Sequence, residues 1–195
     1  MSGENLDHVA TEVSVCTLCP LWKSRKNAVT GEGNPKAKIM LIGEAPGFSE
    51  DVQGRPFVGA AGKFLETLLS ENDLSKGDVF ICNIVKCRPP GNRGPKPLEV
   101  ETCTPYLERQ IQIIRPEFVV TLGSCSTAYV FARAGLPFAG ITAVHGKARQ
   151  AVLHDVEITI FPTFHPAAAL YSAKYKEQIT VDFKVLKKKL EGARF

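Results

Sequence analysis

Four short apolar runs constrain this chain more than any other feature: AKIMLIG (37–43), DVFICNIV (78–85), EFVVTLG (117–123) and VEITIFPTF (156–164). Each is nearly continuous in apolar residues instead of alternating, which is the pattern of a strand covered on both faces. Between and around them lie helical patterns, at about 60–71, 98–114, 124–134 and 166–191, with a short amphipathic helix over 6–15. The stretch 140–154 predicts an additional hairpin. Strands alternating with helices give an α/β sandwich around a largely parallel sheet. Neither a repeat nor a linker interrupts the chain, so residues 1–195 are read as a single domain. In open sheets of this kind ligands sit beyond the carboxyl ends of the strands. That rule selects the segments that begin at Gly43, Asn83 and Thr163.

Composition narrows the setting. No apolar run is long enough to span a bilayer, and MSGENLDHVATEV lacks the basic and apolar regions of an export signal. The expected location is cytoplasmic, associated with the nucleoid, with no membrane contact. A net charge of +4 is compatible with a polyanionic partner without requiring one. In a reducing compartment the 6 cysteines are poor disulfide candidates. Cys82 falls inside an apolar run and Cys125 near the start of a helix, and both read as small buried hydrophobes. Cys16, Cys19, Cys87 and Cys103 remain, in VSVCTLCP, KCRPPGN and ETCTPYL. Four thiolates suit a [4Fe–4S] cluster or a tetrahedral zinc. The long gap between Cys87 and Cys103 weakens zinc, and unrelated buried thiols are the third reading.

The strand ends carry the chemistry. GEAPGFSEDVQGRPFVGAAGKFL (43–65) presents Glu44, Glu50 and Asp51 on Gly/Pro turns and places Phe57 just before a helix N-terminus. It lacks the G-K-S/T ending of a phosphate-binding loop. Asn83 is the lone carboxamide in FICNIV. His165 precedes a proline that can start a helix, at the mouth of the sheet. His8, His145 and His154 have no comparable setting and are read as surface or structural.

Taken in order, these residues resemble a family 4 uracil-DNA glycosylase, the iron–sulfur branch of that superfamily. The resemblance rests on Cys16-x-x-Cys19, Gly43-Glu44-Ala45-Pro46-Gly47, Gly54-Arg55-Pro56-Phe57-Val58-Gly59, Asn83 with Cys87, Cys103, and His165-Pro166. It implies a three-layer α/β/α arrangement around a four-stranded, mainly parallel sheet. It also implies a monofunctional enzyme that flips deoxyuridine from single- or double-stranded DNA and hydrolyses the N-glycosidic bond. Cys16, Cys19, Cys87 and Cys103 become ligands of a [4Fe–4S] cluster joining the N-terminal segment to the 87–103 segment.

By the same likeness, Glu44 and His165 are catalytic, while Gly43, Ala45, Glu50, Phe57 and Asn83 bind the base. Phe57 stacks on the ring, Asn83 reads uracil against cytosine, and Glu50 excludes the thymine methyl. DNA contacts are expected from Arg55, Lys63, Lys86, Arg88 and Arg93, with Leu170 filling the gap left by the flipped base. A related branch traps the sugar with a histidine after the second strand. KCRPPGNRGPKP has none, so ordinary turnover is expected. The chain is read as a monomer, and a sliding-clamp contact is not readable from it. The alternatives are an iron–sulfur redox protein, or a zinc-stabilised nucleic-acid-binding module without glycosylase activity. Neither needs Glu44, Asn83 and His165 on one rim.

Overall fold

A computed structural model describes residues 4–192. The four apolar runs become the four central strands: β2 (Ile39–Gly43), β3 (Val79–Asn83), β4 (Phe118–Leu122) and β6 (Val156–Thr163), all parallel in the order β3-β2-β4-β6. The sheet nonetheless has six strands, two more than expected. β1 (Glu32–Gly33) pairs antiparallel with β3 on one edge, and β5 (Arg149–Leu153) pairs antiparallel with β6 on the other. Neither edge strand carries an apolar run. β1 is only two residues long, and β5 exposes Arg149, Gln150 and Val152, as an edge strand can.

The expected hairpin also moves. Residues Ile141–Val144 form a short helix, α6, and the hairpin instead joins β5 to β6. Its turn residues, His154 and Asp155, both adopt positive φ, 50° and 60°. That conformation matches the twist of a two-residue hairpin.

Helices cover both faces, and alternation along each strand divides the core. Met40, Ile42, Phe80 and Cys82 face one layer, with Leu107 and Ile111 of α4 (Pro97–Ile114) and Val130 and Phe131 of α5 (Ser124–Arg133). Val9 and Val13 of α1 (Leu6–Val15) complete that layer. Ile39, Leu41, Val79 and Ile81 face the other, against α3 (Ala60–Ser70) and α7 (Ala173–Gly192). Burying each such side chain contributes about 1.5–3 kcal/mol. Helix α2 (Phe48–Gln53) is the exception, a short piece standing over the rim of the sheet.

One polar knot fixes the loop between β3 and α4. The buried carboxylate of Glu99 accepts from Arg93 Nη1 and Nη2 at 2.8 and 2.7 Å and from the Lys96 backbone N–H at 2.7 Å. It therefore caps α4 while holding residues 93–96 against the helix. The Arg93 guanidinium, ahead of the Lys96 contacts and the charges around it, holds Glu99 below the usual carboxylate range. A lowered folded-state pKa means this stabilisation is present above the unfolded pKa and is lost as pH falls through the folded one. Glu99→Gln should lower stability at neutral pH by about 1–3 kcal/mol. Thermal melts across pH should show the gap between the two proteins closing in acid.

Candidate functional site

The strand order reverses direction between β2 and β4, and a cavity of about 330 Å³ opens at that point, beyond the carboxyl ends. Glu44, Glu50, Phe57, Asn83 and His165 all line it. Three separate stretches of chain thus converge where the sequence pattern placed them. A larger cleft, about 700 Å³, lies near Glu117, Thr159 and Lys188, away from these residues.

Asn83 ends β3 and is 2% exposed, yet its Oδ1 has no hydrogen-bond partner. Buried side-chain acceptors are satisfied in most proteins, and leaving one unpaired costs about 1–3 kcal/mol. The bareness of Gly43 makes room for it. A Cβ at Gly43 would stand 2.4 Å from Asn83 Oδ1 and 2.9 Å from Phe57 Cζ.

Phe57 adopts φ 51°, uncommon for an aromatic residue. Two contacts enforce it. Glu50 Oε1 accepts the backbone N–H groups of Val58 and Gly59 at 2.9 and 2.8 Å, at the N-terminus of α3. Gly62 lies so close behind that a Cβ there would meet the Phe57 carbonyl oxygen at 1.8 Å. The Phe57 ring stacks near His165, with centroids 5.8 Å apart and planes at 28°.

His165 follows β6, and its Nδ1 accepts the Ala167 backbone N–H at 3.1 Å. That bond assigns the ring proton to Nε2 in the neutral form. Burial pushes its pKa down to about 4, against a small opposing effect of the Glu50 charge. At neutral pH the ring is therefore uncharged and has one N–H to offer. Gly123, at φ 99°, permits the approach, since a Cβ there would lie 2.9 Å from His165 Cβ.

Glu44 is half-buried, and burial pushes its pKa up, opposed by a hydrogen bond from the Cys125 thiol. Cys125 lies in the first turn of α5, at the helix start where the sequence puts it, but it is half-buried and polar in role instead of a buried hydrophobe. It stands beside this carboxylate, with its own pKa pushed up to about 11 by burial and by the Glu44 charge. Its place directly after β4 is the signal that could have marked it as a rim residue.

The basic residues divide. Arg88 lies 5.1 Å over the ring of Phe48, which is 58% exposed, and donates to Asn92 Oδ1. Lys63 is exposed in the first turn of α3. Arg55 is held by Glu32 through two bonds of 2.8 and 2.6 Å, and Arg93 by Glu99. Lys86, expected on the outer rim, is fully buried: its position after β3 turns it inward, not toward solvent. Leu170 is 47% exposed, at the end of the turn that follows His165.

A second, small cavity is lined by Cys16, Cys19, Cys87 and Cys103. Two donors point at its sulfurs. Arg25 Nη1 lies 3.1 Å from Cys87 Sγ, and the Lys86 backbone N–H lies 3.2 Å from Cys103 Sγ. Burial pushes the Cys19, Cys87 and Cys103 thiols up, Cys103 to about 12. Cys82 is separately buried in the core, as expected.

Nuclear magnetic resonance should find His165 titrating near pH 4 with the Nε2–H tautomer above it. A titration near the ordinary histidine value would remove the burial argument.

The sequence model described as Uracil DNA glycosylase superfamily matches residues 30–187. A type-4 uracil-DNA glycosylase of Saccharolobus solfataricus is 51% identical over 97% of this chain and 88% of its own length. The protein of that name from Archaeoglobus fulgidus is 44% identical over 93% of this chain and 91% of its own. One from Thermotoga maritima is 44% identical over 86% and 84%.

Proposed function

The chain belongs to the uracil-DNA glycosylase superfamily, and from that premise we propose how its own residues excise uracil from DNA. The observation that carries the reading is the buried, unpartnered Oδ1 of Asn83 in the cavity shared by Phe57, Glu44 and His165. An acceptor kept bare inside a pocket calls for a ligand N–H. Uracil N3–H supplies it, while Asn83 Nδ2 donates to uracil O4. Cytosine presents an acceptor at N3 and a donor at C4, so both contacts turn repulsive.

A base within a duplex must be everted to reach this depth. Phe57, fixed by Glu50 and Gly62, offers its ring for stacking. With Oε1 committed to Val58 and Gly59, Glu50 excludes a thymine methyl by holding that turn rigid. Gly43 and Ala45 supply backbone without bulk beside the amide.

Cleavage of C1′–N1 sends the bonding electrons to the departing base and leaves positive charge on the sugar. His165 Nε2–H donates to uracil O2 as negative charge develops there, in the manner of an oxyanion hole. A neutral imidazole does this without needing to ionise in a buried site. Glu44 orients the water, stabilises the cationic sugar and takes the proton as the water oxygen bonds to C1′. The proton held by Glu44 then passes through solvent to uracil N1, so the products are free uracil and an abasic site. Every group required lies in one copy of the chain.

Lys63, Arg88 and Arg93 contact phosphate around the cavity, Arg55 joins them by exchanging its Glu32 partner, and Leu170 enters the vacated stack. No helix among the described residues is long and apolar enough to cross a membrane. Cys16, Cys19, Cys87 and Cys103 hold a [4Fe–4S] cluster, supported by four thiols converging with N–H donors aimed at sulfur. When bound, the cluster supplies a covalent staple between the N-terminal segment and residues 87–103.

The test is release of free uracil from a uracil-containing oligonucleotide in a single turnover, with a cytosine oligonucleotide as the control. No release from either strand form would end the proposal. Glu44→Gln should slow that turnover by ~10²-fold or more while leaving DNA affinity nearly unchanged. Asn83→Asp should reduce uracil release by a similar ~10²-fold, because the pocket then lacks its amide donor. Affinity for DNA should fall with salt, log K against log salt having a slope of about −0.7 to −0.9 per phosphate contacted.

A further inference from the structure

Lys86 is 1% exposed, and among the described residues no carboxylate pairs with its ammonium. Its Nζ donates to two neutral acceptors, the Asn83 backbone carbonyl at 2.8 Å and Gln110 Oε1 at 2.7 Å. Gln110 is fixed in turn by its Nε2, which donates to the Thr30 carbonyl at 2.6 Å. The backbone of Lys86 is equally engaged: its N–H donates to Cys103 Sγ at 3.2 Å, and its carbonyl accepts from Val29 N–H at 2.7 Å. One residue therefore touches a cluster thiol through its backbone and the base-reading residue through its side chain.

Hydrogen bonds to neutral oxygens do not replace a counter-charge in an interior site. The negative charge available lies in the thiol cavity that Lys86 helps to line, together with the second cation, Arg25. Four thiolates carry more negative charge than a four-iron core neutralises, so the loaded site is anionic. We propose that Lys86 is the interior counter-charge of the cluster and, by gripping the Asn83 carbonyl, the positioning residue through which an occupied cluster steadies the uracil-reading amide. This rests on the cluster reading above. It gives a cluster with no electron to transfer a reason to stand behind a hydrolytic pocket.

The test uses Lys86→Met, which keeps the length of the side chain, Lys86→Gln, which keeps donors without charge, and Lys86→Arg, which keeps charge. Iron and sulfide per chain and the cluster reduction potential are measured in each. Both neutral variants should retain less than roughly half the wild-type iron, with the remaining cluster reducing at more negative potential, since local charge sets both. Lys86→Arg should restore both quantities toward wild type. Full iron and an unmoved potential in the neutral variants overturn the proposal, and so does rescue by Lys86→Gln, which would make hydrogen bonding the cause. Iron-free wild-type protein would overturn the cluster reading itself, a separate outcome.

Unmutated protein provides the remaining arm, independent of whether any variant folds. Removing the cluster with a chelator should speed amide hydrogen exchange at residues 83–86 by roughly tenfold or more. Unchanged protection there overturns the link to Asn83.

Discussion

A parallel sheet covered by helices on both faces has no room for polar chemistry except at its ends. β2, β3 and β4 are buried along their whole length, so the polar groups this chain must offer a ligand are displaced to the carboxyl rim. At the rim the constraint becomes one of approach. β2 and β4 lie side by side, but the chain leaves them in opposite directions, toward α2 and toward α5. The gap left there receives Asn83 from one side and His165 from the other, and small residues line the way. Gly43 leaves room for the amide, Gly123 for the imidazole, and Gly62 lets α3 press on the Phe57 backbone.

Within that gap each reacting group is prepared by removing something. Asn83 Oδ1 lacks a partner, His165 lacks charge, and Glu44 is partly deprived of water. These conditions are unfavourable in the free protein, and in the proposed mechanism each becomes favourable when a uracil nucleotide enters. There the base would satisfy the carbonyl, its developing negative charge would meet the imidazole N–H, and the cationic sugar would meet the carboxylate. On that reading specificity and catalysis arise from the same preparation, because a ligand that cannot relieve all three conditions gains little by entering.

Much of this was legible because the relevant signals are local. A continuous apolar run, a glycine at its end and a polar residue at its last position are all visible within a few residues, and Gly43, Asn83 and His165 were located that way. The features without a local signal depend on long-range packing. β1 and β5 have no apolar pattern because an edge strand is buried on one side at most, and their pairing is fixed by β3 and β6. The turn at His154 and Asp155 carries none of the glycine usual at positive φ. Lys86 looks like any basic residue beside a strand, and only the meeting of α4 with the 25–30 segment shows that its side chain is enclosed. Cys125 looked inert for the opposite reason, since the carboxylate it bonds lies some eighty positions earlier in the chain.

The N-terminal segment gives the proposed cluster a structural reason in a hydrolytic enzyme. Residues 4–30 supply no strand, and their buried apolar residues are few, chiefly Val9, Val13, Leu21 and Val29. Val9, Val13 and Leu21 anchor it in the core, and polar contacts join the stretches between: Arg109 to Glu4 and Glu12, Asp51 to the backbone of Lys26 and Asn27, and Arg25 to Cys87. Surface ion pairs such as those of Arg109 contribute little each, so they add little to those apolar anchors. The four metal–thiolate bonds of the proposed cluster would add a much stronger tie. Because Val29 N–H and Gln110 both end on Lys86, whatever fixes the segment also fixes the floor beneath Asn83. The proposed staple and the pocket then share one support, and a loose N-terminal segment would be felt as a displaced amide at the proposed base-reading point.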